Sequence, residues 1–323
     1  MTSRFDVLAL GNAIVDVLAQ TSAAFLEAEG MVSGSMTLID EARADALTAR
    51  FTDAVIEAGG SAANTVTGVA SFGGRAAFIG KVAEDALGAR FTTAFREAGV
   101  HFTAPPRPGP PGTARCLIAV TPDGQRTMNT YLGASTLLAP EDVQQDLIEA
   151  AEVLFLEGYL FDKAEAKAAF VRAAEFAQAA GRRTALTLSD LFCVERHRES
   201  FRHLVQHHVD ILFCNEAEIL GLYEKADLGA ALAQARAHCP LVIVTRSAQG
   251  SLIAQGEETV AVAAEPTQVI DTTGAGDLYA AGFLFGLARG RELAACGRLG
   301  SIAAAEVISH MGPRPARVLK TLI

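Results

Sequence analysis

The chain has 323 residues, of which 50% are apolar and 20% charged, with a net charge of −10, so it is long enough for one large α/β domain with a smaller appendage and carries little electrostatic support for a nucleic-acid partner. Its five cysteines, Cys116, Cys193, Cys214, Cys239 and Cys296, are widely spread and never form a C-x-x-C pair, which argues against a disulfide framework or a zinc site. No apolar run reaches membrane-spanning length and the first residues carry no signal-peptide pattern, so the expectation is a cytoplasmic protein without a membrane partner.

In chain order, the apolar run 5–10 ends in Gly11-Asn12 and 13–19 continues in β-like sequence, which predicts a central strand leading into a second layer. Asp16 stands there among aliphatic neighbours, where an unpaired carboxylate is costly. It either caps a turn or accepts hydrogen bonds from a polyol. A short strand is predicted over 33–40 and a helix over 41–51. Gly59-Gly60-Ser61-Ala62-Ala63-Asn64 then leads into a helix, with glycines that allow close backbone approach and Asn64 about one turn in. A strand over 76–81 and a helix ending at Glu97 follow. The proline-dense run 105–111 can form neither helix nor central strand and serves as the hinge into a hairpin, 113–120 and 125–131, turning at Pro122-Asp123-Gly124. Joined to the strands near 13–19 and 33–40, this hairpin would form a small β lid. The division expected is a core of 1–12, 57–106 and 134–323 with a lid of 13–56 and 107–133.

From 153 onward, strands at 153–156, 184–188, 211–214 and 241–245 alternate with helices at 163–180, 195–208 and 228–238. That alternation predicts a mainly parallel sheet with covering helices, a three-layer α/β/α core whose ligands bind at the carboxyl ends of the strands. Asn12, Tyr159, Asn215 and Arg246 fall at such ends. Asn215 and Glu218 are three apart and share a helix face, and their oxygens suit magnesium. Val269 and Ile270 read as the end of a strand, after which Asp271-Thr272-Thr273-Gly274-Ala275-Gly276-Asp277 opens an apolar helix to about Ala288. A helix start offers unpaired N–H groups and a positive dipole end, and Gly274, Ala275 and Gly276 leave room for an anion to reach them. Asp277 in the first turn is then a base for a hydroxyl attacking a bound phosphate. The alternative is a Thr/Asp-capped start with small residues for packing. His203, His207 and Glu199 share a helical face at metal-like spacing, but no H-E-x-x-H occurs and a solvated face accounts for them.

The string DTTGAGD at 271–277, with Gly59-Gly60 in the first quarter of the chain, resembles the signature of the ribokinase-like (PfkB) family of carbohydrate and nucleoside kinases, and the likeness extends over nearly the whole chain. It implies a ribokinase-like fold, ATP with Mg2+, and Asp277 as catalytic base beside the amides of Gly274, Ala275 and Gly276. Gly11-Asn12 with Asp16, Arg126 in the hairpin and Glu157-Gly158-Tyr159 resemble the adenosine kinase branch. In that branch Asn12, Asp16, Gly59, Gly60, Ser61 and Asn64 would hold the sugar, Tyr159 would stand against the base, and Arg126 would neutralise charge on the moving phosphoryl group. Asn215 and Glu218 would organise magnesium through water, and Thr245, Gly250 and Thr273 would belong to the nucleotide site, although the family more commonly has glycine where Ser247 stands. A monovalent cation, K+ in many members, would lie near Asp271 and Gly312. The implied reaction is transfer of the γ-phosphoryl group of ATP to the 5′ hydroxyl of a nucleoside, adenosine first. The alternatives are a ribose- or fructose-type sugar kinase, an inosine or guanosine kinase, or a nucleoside-binding sensor without turnover. Both monomer and homodimer occur among such proteins.

Overall fold

The computed structural model describes residues 3–323, the side chain of Asp162 excepted. The chain opens with β1 (Phe5–Leu10), β2 (Ile14–Gln20), α1 (Ala23–Ala28), β3 (Met36–Leu38), α2 (Glu41–Thr48) and β4 (Val55–Gly59). Next come α3 (Ser61–Ser71), β5 (Ala76–Ile79), α4 (Ala86–Glu97), β6 (Ala114–Val120), β7 (Arg126–Tyr131), α5 (Gln145–Glu149) and β8 (Ala151–Glu157). The second half runs α6 (Ala164–Ala179), β9 (Arg183–Thr187), α7 (Leu191–His207), β10 (Ile211–Asn215), α8 (Glu216–Tyr223), α9 (Leu228–His238) and β11 (Leu241–Thr245). It closes with β12 (Ser251–Gln255), β13 (Glu258–Val262), α10 (Ala275–Leu287) and α11 (Leu293–Val307).

Eight strands form one sheet in the order β13-β12-β11-β10-β9-β8-β1-β5, parallel from β11 to β5, with β12 and β13 added antiparallel at the edge. All six residues of β1 are buried, as expected for a central parallel strand covered on both faces. Alternation along the strands divides the core in two. Leu8, Leu154, Leu186, Leu212 and Val242 pack with α6 to α9, while Val7, Phe155, Phe213 and Ile243 pack with α3, α4, α10 and α11. Gly68 brings α3 and α10 into close approach, since a Cβ there would lie 2.6 Å from both Ala281 Cβ and Leu278 Cδ1. That contact sets the first turns of the two helices side by side.

The second sheet has the order β3-β7-β6-β2-β4. One of its faces, with Val17, Ala19, Leu117 and Ala119, is covered by Leu26 of α1 and by Ala44 and Leu47 of α2. The opposite face carries Ile14, Asp16 and Leu18 of β2 with Cys116, Ile118 and Val120 of β6. Strand β4 was not foreseen from the sequence. Its residues Val55–Gly59 pair with Ile14–Leu18, so the sheet runs through 57–59, which the sequence reading gave to the core. The strand expected over 33–40 is limited to Met36–Leu38, all three residues exposed at the sheet edge. Val269 and Ile270 are also not in a strand. They lie in an irregular segment, 58% and 52% exposed, because β13 ends the sheet and the chain crosses its edge to reach α10. All five cysteines are buried and none forms a disulfide. Among the described residues no helix is long and apolar enough to cross a membrane.

Candidate active site

Helix α10 starts at Gly274, which takes the left-handed conformation (φ 78°) and contributes no side-chain cap. The Thr/Asp-capped start offered by the sequence as an alternative is therefore not what forms. A Cβ at Gly274 would lie 2.7 Å from the Pro313 carbonyl oxygen, so both conformation and space require glycine. At Gly276 a Cβ would meet nothing within 4 Å, and that open side is where a ligand can approach. Among the described residues the N–H groups of Gly276 and Asp277 find no acceptor, which leaves the positive end of the helix available to an anion.

Asp277 is half-buried and held from α3: Ser61 Oγ donates to its Oδ1 at 2.6 Å and Asn64 Nδ2 to its Oδ2 at 3.0 Å. Thr65 Oγ1 donates to its main-chain oxygen at 3.1 Å. Burial raises the carboxyl above its ordinary range, opposed by the bonds from Ser61 and Asn64, which moves it toward what a general base near neutral pH needs.

A second buried carboxylate, Glu157 at the end of β8, was quoted in the sequence only as a neighbour of Tyr159. It accepts from Asn12 N at 3.3 Å, Asn12 Nδ2 at 2.7 Å and Ala62 N at 2.8 Å, so it ties the turn after β1 to the start of α3. Burial lifts it to about 7 against those three donors. Gly60, with φ 100°, sits against the Asn12 carbonyl, where a Cβ would come within 2.4 Å, and Gly59 is packed just as closely by the Asp16 carboxylate. With their Nδ2 groups donated to Glu157 and Asp277, Asn12 and Asn64 are left with Oδ1 atoms that are buried and have no partner. Orphaned acceptors of this kind call for hydroxyl donors.

The second sheet contributes Asp16, Arg126 and a set of apolar side chains. Asp16 is 8% exposed and pushed up to about 7 by burial, with Arg314 and Arg126 lowering it and Glu57 and Asp277 raising it. The Arg126 side chain is only 9% exposed rather than solvated, and its guanidinium pairs with Asp271 and donates to Thr273 Oγ1. Its charge therefore lies against the 271–277 loop. Asp271 also accepts from Thr273 N at 3.0 Å and Gly312 N at 2.9 Å.

On the far side of the sheet ends, Asn215 and Glu218 form a reciprocal capping box: Glu218 N donates to Asn215 Oδ1 at 2.9 Å, Asn215 N to Glu218 Oε2 at 2.9 Å, and Asn215 Nδ2 to Glu218 Oε1 at 2.6 Å. Burial pushes Glu218 up to about 7. Thr245 Oγ1 donates to Cys214 O at 3.4 Å, and Gly250 closes the turn after β11 by accepting from Arg246 N at 2.7 Å. Arg246 pairs with Glu216. Tyr159 packs partly buried on the core and donates to Ser189 O at 3.4 Å. Glu199 pairs with Arg202 instead of with the histidines, and no three His, Cys, Asp or Glu residues among those described are placed to hold a metal.

The structure thus holds Ser61 and Asn64 on Asp277 and, through Glu157, ties Asn12 to the start of the same helix, with Gly59 and Gly60 packed against Asp16 and Asn12, while Asn215, Glu218, Thr245 and Gly250 belong to a separate group at the ends of β10 and β11. Glu157 and Arg314 are the polar residues the sequence reading missed. Glu157 had a signal, a charged residue ending an apolar strand, whereas Arg314 sits in a coil without periodicity.

The sequence profile of pfkB family carbohydrate kinases matches residues 30–319. Among solved structures, an adenosine kinase from Sinorhizobium meliloti is 51% identical, covering 99% of this chain and 98% of that one with a TM-score of 0.92. A probable sugar kinase from Rhizobium etli is 46% identical at 99% and 98% coverage, with a TM-score of 0.93. The adenosine kinase of Saccharomyces cerevisiae is 26% identical over 95% of this chain and 96% of its own. These likenesses carry the ribokinase-like fold and a phosphotransferase activity on an alcohol group.

Proposed function

The chain belongs to the pfkB family of carbohydrate kinases, and from that premise we propose that it moves the γ-phosphoryl group of ATP to the 5′ hydroxyl of a nucleoside, adenosine first, giving AMP. The observation that carries this reading is the pairing of Asp277 with an uncapped helix start, next to two buried, partnerless acceptors, Asn12 Oδ1 and Asn64 Oδ1. The 2′ and 3′ hydroxyls of the ribose donate to the acceptors grouped there, Asn12 Oδ1, Asn64 Oδ1 and the Asp16 carboxylate, and the 5′ hydroxyl is left to Asp277. Asp277 takes the proton of the primary hydroxyl as its oxygen attacks phosphorus, and the amides of Gly276 and Asp277 with the Arg126 charge stabilise the group in transit. Gly274 and Ala275 shape that cradle. The apolar face of the second sheet, with Ile14, Leu18, Cys116, Ile118 and Val120 beside Asp16, gives a planar base a surface to lie on and favours a nucleoside over a free sugar.

ATP brings Mg2+, which supplies charge neutralisation between the phosphates. Asn215 and Glu218 fit it through water, since their box uses one lone pair on each oxygen and leaves others free. Thr245, Gly250 and Thr273 border the same path. A monovalent cation, K+ in this reading, would lie near Asp271 and Gly312, where Asp271 Oδ1 accepts only from Thr273 N and keeps a lone pair while Oδ2 serves Gly312 and Arg126. The reading includes a cytoplasmic location, where ATP is supplied, and a chain active as a monomer or a homodimer. Phosphorylation assays with Mg-ATP over adenosine, inosine, guanosine, ribose and fructose test it. Preferred turnover of adenosine is expected; preference for a free sugar overturns the nucleoside assignment, and binding without turnover leaves a sensor.

A further inference from the structure

Arg314 lies just beyond the segment in which Gly312 N binds Asp271 and the Pro313 carbonyl closes on Gly274. Its Nε and Nη2 are buried and have no hydrogen-bond partner, an uncommon state for a guanidinium. The Phe95 ring lies 5.5 Å from its central carbon. Two carboxylates face it, Asp16 and Glu57, which stand directly opposite each other on β2 and β4 and so project from the same face of the second sheet. Burial lowers Arg314 to about 10, and those two carboxylates oppose the shift.

The need for a cation here is set by Asp16. It is buried and looks at two other anions, Glu57 beside it and Asp277 across the cleft, and both favour its neutral form. A neutral carboxyl group carries its own proton and loses much of its capacity to accept from substrate hydroxyls. Two arginines oppose this. Arg126 has both Nη atoms tied to Thr273 and Asp271 and only its Nε without a partner, whereas Arg314 has two partnerless nitrogens, Nε and Nη2. Asp16 sits on β2 of the second sheet and Arg314 follows the core loop, so the separation of the two depends on how the sheet is set against the core.

We propose that Arg314 is the positioning residue for Asp16: as the acceptor substrate draws the second sheet onto the core, Nε and Nη2 donate to the Asp16 carboxylate and fix it as the anion that receives the substrate hydroxyls. This rests on the reading of Asp16 as a hydroxyl acceptor given above. The test measures kcat/KM against pH for the wild type, R314M, R314K and E57Q, with a carbon-13 titration of the Asp16 carboxyl that needs no turnover. In R314M, KM for the acceptor is expected to rise about tenfold with KM for ATP unchanged, and both the acidic limb and the Asp16 midpoint to move up by about 1 pH unit. E57Q removes an anion and moves them down, and R314K, which keeps the charge, returns them toward the wild-type position. In a D16N background R314M should shift the limb no further. An Asp16 midpoint unchanged in R314M, or an equal limb shift without Asp16, overturns the proposal. Wild-type enzyme that phosphorylates no nucleoside overturns the acceptor assignment instead, while the carbon-13 midpoint still reports on Arg314.

Discussion

Helices α8 and α10 both begin at the carboxyl side of the large sheet and both carry an acidic residue in the first turn, yet their starts are built in opposite ways. At α8, Asn215 and Glu218 satisfy each other through three hydrogen bonds, so the acid is spent on capping its own helix. At α10, Gly274 caps nothing, and Asp277 is held by Ser61 and Asn64 from another helix. The amides are left open and the carboxylate is aimed. The same residue types thus give a stable helix end in one place and a reaction centre in the other, and the difference lies in whether the donors come from within the helix or from across the fold.

The sharpest way to break this contrast is D277N, which keeps the shape and removes the base. Turnover should fall about a thousandfold or more with nucleoside binding by calorimetry retained; a loss under tenfold would sink the assignment of the base. Next, G276A puts a methyl group into the open side of the cradle without meeting any protein atom. Its melting temperature should stay near wild type while turnover falls about a hundredfold. G274A, strained by its positive φ and by the Pro313 carbonyl, should instead lose about 1–3 kcal/mol of stability in urea unfolding. If the two alanine variants behaved alike, the cradle would not be distinguishable from ordinary packing.

A third test uses pH. Glu157 is raised in the folded protein to about 7 from 4.5, so its contribution to stability is fully present below pH 4.5 and is lost as pH rises through 7, about 3 kcal/mol at full extent. Asp16 and Glu218, also pushed up to about 7, act in the same direction. Asp6 and Asp85 have lowered values, and their stabilisation is lost only at more acid pH. Wild-type urea midpoints should therefore fall between pH 5 and pH 8, and E157Q should flatten that fall. An unchanged slope would show that Glu157 is not buried as an ionisable link between Asn12 and Ala62. The smallest effect belongs to N215A, which opens the box at α8: a loss of about 1 kcal/mol in stability and a modest rise in the Mg2+ concentration needed for half activity. Full stability with a collapse of turnover would move Asn215 from the cap to the chemistry.

Much of the fold was legible because its signals are local. Alternating apolar strands and amphipathic helices from 153 onward gave the parallel sheet, and Pro122-Asp123-Gly124 gave the hairpin. The misses have a common cause. Strand β4 has the pattern exposed, half-buried, exposed over Val55–Glu57 and ends in Ala58-Gly59, so it pairs by register with β2 and not by its own propensity. Val269 and Ile270 are β-branched but exposed, and propensity there is overruled by the lack of a neighbouring strand.

What the sequence alone determined was the chemistry within one segment: glycines that admit close approach at Gly59-Gly60 and from Gly274 to Gly276, an acid in the first turn of the helix that follows, and a hairpin carrying Arg126. Distances between segments far apart in the chain were decided only by the tertiary structure. Ser61 and Asp277 are 216 residues apart and meet at 2.6 Å because Gly68 lets α3 and α10 touch. Arg126 meets Asp271, and Arg314 faces Asp16, for the same reason: the partner of a charge is set by how layers pack, and packing depends on the whole set of buried surfaces at once.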